Sequence, residues 1–176
     1  YGEVLDKAAA GDFRANMLAG EYWMGLYYLN RGDLPLACLE HMQHFFRDAA
    51  TASGHPAPKL MMTDPYGIFG IFKAQPMQPE HAEWLAACRK LAEKGDMDAV
   101  TALYTVTDLP EAELKRYLAP LEKKAASGDQ DALAQLAFIK VDWLKENPAN
   151  VIETLKQYRK NAKPVLLARI GELALA

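Results

Sequence analysis

A short phrase that recurs along this chain limits its fold more than any other feature. It reads Ala8-Ala9-Ala10-Gly11-Asp12, then Ala92-Glu93-Lys94-Gly95-Asp96, then Ala125-Ala126-Ser127-Gly128-Asp129. A blurred copy, Ala49-Ala50-Thr51-Ala52-Ser53-Gly54-His55, falls between the first two. Starting from Gly11, the glycines follow at steps of 43, 41 and 33 residues. A fixed element at such periods is what stacked helical units leave in a sequence, each unit having too little apolar surface to stand alone.

The phrase is punctuation between helices. Alanine loses least on entering a helix, so the Ala-rich part carries a helix to its end. Glycine stops it by taking the left-handed conformation without a side-chain clash. Asp12, Asp96 and Asp129 follow, where a carboxylate caps the free N–H groups of the next helix and suits its positive end. Apolar residues recur at helical spacing on either side. Leu114, Leu118, Leu121 and Ala125 form one stripe, and Leu133, Ala137, Val141 and Leu144 a second. Val151, Leu155, Tyr158 and Ala162 form a third, opened by Asn147 as N-cap with Pro148 in the first helical position. Cys38, Met42, Phe45 and Ala49 form an equivalent stripe earlier. The pattern predicts five helical hairpins: about 1–30, a second from near Asp33 across Gly54, then 79–108, 110–146 and 148–175. The best strand candidate, Tyr66 to Phe72, is short and broken by Gly67 and Gly70.

At 176 residues with 51% hydrophobic and 24% charged composition, the chain reads as one all-α helical-repeat domain over 1–176 with a sizeable core. One stretch departs from the pattern. Five prolines between 54 and 79 limit regular helix to short pieces, so an irregular insert is expected there. The net charge of −3 argues against nucleic acid as partner. The basic cluster Lys156, Arg159, Lys160 and Lys163 reads as a solvated face. No apolar run is long enough to span a bilayer. Cys38 and Cys88 have no metal-like spacing; two buried small apolar residues are expected, with a single bridge as the alternative.

Chemistry-bearing constellations are sparse. Cys38 lies near His41 and His44, the best arrangement for a thiol nucleophile with a base, yet its apolar stripe opposes the exposure a reactive thiol needs. Glu40, His41 and His44 could supply two metal ligands from one helix, which is not a complete site. No cofactor and no metal is expected. Phosphate-binding and dinucleotide fingerprints are absent from the sequence. Glu21 stands out because it interrupts an apolar stretch from Ala19 to Leu29 beside Tyr22 and Trp23. It is either an anchor for a protein partner or part of an exposed face. Tyr66, Ile68, Phe69 and Phe72 in the insert either plug a gap in the core or form a second partner surface. Of the large aromatics Trp23, Tyr27, Tyr28, Trp84, Tyr104 and Trp143, four are expected in the core and two at an interface.

These residues resemble a Sel1-like repeat, a variant of the tetratricopeptide repeat. The likeness rests on Ala9, Gly11, Asp12, Ala15, Leu18, Ala19 and Tyr22, then Gly32, Asp33 and Ala37, then Ala49-Ala50 before Gly54-His55-Pro56. Thinner copies hold Gly95, Asp96, Ala99, Leu103 and Tyr104, then Gly128, Asp129, Ala132 and Leu136. The family's Leu-Gly pair is Leu18-Ala19 in the first unit and Leu136-Ala137 in the fourth, which keeps the small residue. The third copy has Leu103-Tyr104. The resemblance implies a right-handed α-solenoid of about five stacked hairpins that holds a protein partner. It further implies a bacterial adaptor, or an immunity-type protein that binds and neutralises a secreted toxin or effector. A metal- or thiol-dependent enzyme using Cys38, His41 and His44 is the remaining alternative. The first residue is Tyr1, not Met, which a removed signal peptide or a trimmed start would each produce; the compartment stays open, with the bacterial periplasm favoured and the cytoplasm the alternative.

Overall fold

The computed structural model describes residues 2–29, 36–62, 79–107, 109–156, 158 and 162–175. Among these residues the regular structure is entirely helical, in ten helices. They are α1 (Gly2–Ala9), α2 (Phe13–Leu29), α3 (Leu36–Ser53), α4 (Pro56–Met62), α5 (Pro79–Ala92), α6 (Met97–Val106), α7 (Glu111–Ala126), α8 (Gln130–Asp142), α9 (Pro148–Lys156) and α10 (Pro164–Leu175). Consecutive helices pack as pairs over all five stretches where hairpins are expected. The chain divides into two compact units, Tyr1–Leu109 and Pro110–Ala176. In the first, α1 packs on α2, α2 along α3, and α3 on α4, while α4 also meets α5 and α6, themselves a pair. In the second, α7 packs on α8, α8 meets both α9 and α10, and α9 packs on α10.

The recurring phrase closes the same way each time. Gly11, Gly95 and Gly128 have φ of +83°, +82° and +87°, which a side chain would oppose. Their N–H groups donate to the carbonyls of Ala8, Ala92 and Ala125, each at 2.9 Å. The following aspartates donate their own N–H to Lys7 (3.0 Å), Leu91 (3.1 Å) and Lys124 (3.2 Å). This pair of bonds satisfies the carbonyls left free at a helix end. The same aspartate then opens the next helix. Oδ1 of Asp12, Asp96 and Asp129 accepts from the N–H of Ala15, Ala99 and Ala132 at 2.7, 2.9 and 3.0 Å. Each of those alanines is buried. Asn147 caps α9 through Ala149 N–H at 2.9 Å, with Pro148 as its first residue.

The blurred copy is built differently. Gly54, at φ +66°, donates to the carbonyl of Ala50 at 3.0 Å in a simpler single-bond closure. His55 then takes the aspartate's place, its Nδ1 accepting from Ala57 N–H at 3.1 Å. That bond leaves the proton on Nε2, which donates to Asp96 Oδ2 at 3.2 Å. The Phe13 ring lies 5.3 Å from the His55 ring, centroid to centroid. Three turns distant in sequence, at Gly11, Gly54 and Gly95, are thereby joined side by side.

The cores follow the helical stripes with one shift. Leu114, Leu118, Leu121, Ala125, Leu133, Ala137, Val151 and Leu155 are buried, while Val141, Leu144, Tyr158 and Ala162 are only partly so. In α3 the stripe is Cys38, Met42, Phe46 and Ala49, all buried, and Phe45 is half-exposed. Both phenylalanines satisfy helical spacing; the opposing helix decides between them, because Gly20 of α2 leaves room for the Phe46 ring. The aromatic expectation is likewise corrected. Trp23, Trp84, Tyr104 and Trp143 are each only partly buried, and Phe46 and Tyr117 are the fully buried large aromatics described. In the stretch 54–79 the described part is the short helix α4, whose Ala57, Leu60 and Met61 are buried. Pro56 is its first residue, where a missing N–H costs nothing. Tyr66, Ile68, Phe69 and Phe72 lie outside the described residues. Cys38 and Cys88 are buried free thiols, and burial pushes Cys88 up to about 12.

Candidate functional site

The site is built on α2. Asp12 sets its start, so Arg14 falls in the first turn and every later residue has a fixed bearing. Ala15, Asn16, Met17, Ala19 and Gly20 face inward. Arg14, Leu18 and Tyr22, stepping by four, line the opposite side, with Glu21 at its edge seven residues after Arg14. Leu18 is 40% exposed and Tyr22 48%, two of the three large hydrophobic residues exposed among those described. The Tyr22 ring meets Trp23 edge-on at 5.9 Å, and Trp23 stacks on His41 of α3 at 4.4 Å. The sequence reading brought Glu21, Tyr22 and Trp23 together, and the structure keeps them adjacent. Arg14, Leu18 and Asp98 were missed as site residues.

Asp98, in the first turn of α6, forms an ion pair with Arg14. Glu21 lies within the field of both groups. Burial pushes its carboxyl up to about 7; the Arg14 guanidinium works against that rise and Asp98 adds to it. Asp98 is raised too, first by burial, with Arg14 opposing. Asp96 goes the other way, held low chiefly by its hydrogen bond from His55. Arg14 is thus paired with Asp98 and acts on Glu21 only through its field. Among the described residues no hydrogen-bond donor reaches Glu21.

This arrangement has a pH signature. A carboxyl whose folded value lies above its ordinary 4.5 binds its proton more tightly in the native state. Its contribution is fully present at pH below the unfolded value and is lost as pH rises through about 7. Glu21 keeps partial contact with water, which reduces the effect to about 1 kcal/mol. Glu21→Gln, neutral at every pH, is therefore expected to gain about 1 kcal/mol over wild type at about pH 8 and nothing near pH 4. Urea melts of both proteins across that range check it; parallel stability profiles would contradict it.

The thiol constellation is arranged otherwise. Cys38 is 1% exposed within the α3 core stripe. His41 is exposed and stacked on Trp23, while His44 stands 3.7 Å from Asp48. No group of three or more potential ligands for a metal ion occurs among the described residues. In the second unit a cleft of about 160 Å³ lies between α8 and α9, lined mainly by Leu133, Leu136, Ala137, Val151 and Leu155. Lys140 and Glu146, 3.5 Å apart, also line it. No helix among the described residues is long and apolar enough to cross a membrane.

Compared with family models, curated proteins and solved structures, the chain matches none of them.

Proposed function

We propose that this chain is a non-catalytic protein-binding module, its helical pairs being Sel1-like repeats, and that the outer face of α2 contacts the partner. The observation carrying the reading is the exposed pair Leu18 and Tyr22, one turn apart beside the Glu21 carboxylate. Apolar side chains next to a charge outside the core are what interfaces use, the apolar part for affinity and the charge for choice of partner. The burial of Cys38 and the engagement of His41 with Trp23 favour binding over thiol chemistry. The three conjoined turns of the first unit support the repeat reading. Within this class, neutralisation of a secreted effector by an immunity-type protein is the specific role proposed.

The test captures partners from the native source with wild-type bait and with Leu18→Ala/Tyr22→Ala bait of equal helicity and melting midpoint. One strong partner lost from the variant is the expected result. Stoichiometric loss of that partner's own activity on binding supports neutralisation; binding that leaves its activity intact replaces this role with that of an adaptor. Equal capture by both baits overturns the assignment of the α2 face.

A further inference from the structure

The charges on the α2 face do not close. Arg14 is already engaged by Asp98, which leaves the second carboxylate, Glu21, without a donor among the described residues. A carboxylate partly withdrawn from water is costly while unpaired. An incoming cation relieves that cost, whereas an anion meets two carboxylates against one guanidinium. Leu18 lies one turn before Glu21 on α2, and the stem of a lysine or arginine is apolar along its length. Such a stem can lie on Leu18 while its charged end reaches Glu21.

Building on the binding role proposed above, we infer that the face of Leu18, Glu21 and Tyr22 docks a protein segment presenting a lysine or arginine next to an apolar side chain, with the cation on Glu21. Charge complementarity commits the site to that occupant. An acidic segment is opposed by Glu21 and Asp98 together. A second copy of this chain is a competing occupant that the experiment separates.

The probe is a library of random linear peptides, selected in parallel on the full chain as wild type and as Glu21→Gln. Synthetic copies of the enriched peptides are then titrated by calorimetry against wild type, Glu21→Gln, Leu18→Ala/Tyr22→Ala and Glu122→Gln. The last makes the same charge change at an exposed carboxylate of α7. The expected outcome is enrichment of lysine or arginine beside an aliphatic or aromatic residue. Affinity should fall about tenfold with Glu21→Gln and be unchanged with Glu122→Gln.

Basic peptides weakened equally by both charge variants would overturn the inference, because net charge alone would explain them. Peptides without a basic residue that bind wild type and fail on Leu18→Ala/Tyr22→Ala would overturn the cation while leaving the binding role standing. Peptides indifferent to every variant of the face would overturn both. Self-association abolished by Glu21→Gln in analytical ultracentrifugation would replace the segment by a second copy.

Discussion

Asn16→Asp is expected to cost about 3–5 kcal/mol at neutral pH, although it changes the side chain's shape hardly at all. Asn16 is fully buried, and its Nδ2 donates to the carbonyls of Ala8 at 3.1 Å and Asp12 at 2.9 Å. Two carbonyls in front of one group fix the amide's orientation, since only the NH₂ end can face both. The amide thereby ties the end of α1 to the cap of α2. A carboxylate in its place turns both attractions into repulsions and buries an unpaired charge. Asn16→Ala removes the bonds without adding charge. Each carbonyl keeps a backbone partner, Gly11 N–H for Ala8 and Asn16 N–H for Asp12, so its cost is about 1–3 kcal/mol. The two variants should also differ in pH dependence. The new carboxyl binds its proton more tightly when buried, so stability recovers as pH falls and is lost as pH rises. Urea denaturation followed by circular dichroism at about pH 7 and about pH 4 checks both statements. An aspartate variant as stable as the alanine variant at neutral pH would disprove them.

Gly20→Val is expected to lose about 3 kcal/mol, where Gly25→Ala in the same helix gains about 0.5–1 kcal/mol. Glycine inside a helix ordinarily weakens it, so replacement should help wherever space exists. Gly25 has that space, with nothing within 4 Å of an added Cβ. Gly20 does not. A Cβ there would meet Phe46 Cε1 at 2.5 Å, Cδ1 at 2.7 Å and Cζ at 2.9 Å, and that ring is fully buried between α2 and α3. Valine adds two further methyl groups to the collision and stiffens χ1. Thermal melts of the two single variants and the double variant test the contrast. A stabilised Gly20 variant would mean that α2 and α3 are not held as closely as this packing requires.

The neighbouring turns show what could be read in advance. Gly11-Asp12, Gly95-Asp96 and Gly128-Asp129 act on atoms within about five residues of themselves, so sequence spacing alone identifies both the closing and the opening bond. Asn147 and Pro148 are legible for the same reason. His55 is the instructive exception. Its position in the blurred copy was readable and its ring-nitrogen cap reaches only Ala57, two residues on, but its bond to Asp96 depends on a residue 41 positions away.

Glu21 was legible as an anomaly, a charge in an apolar run, but its consequences were not. Those come from Arg14 and from Asp98, which lies 84 residues beyond Arg14 and belongs to another helix pair. Leu18 was read as part of the repeat pattern, and the structure leaves it 40% exposed.

Local chemistry therefore determined where helices begin and end, that the chain is helical, and how its apolar stripes run, because each of those depends on hydrogen bonds and side-chain spacing within one or two turns. Tertiary structure decided which of Phe45 and Phe46 enters the core, which aromatics are buried, and which charges meet around Glu21. These follow from the shape and charge of an opposing helix, and no periodicity within a single helix records what that helix will face.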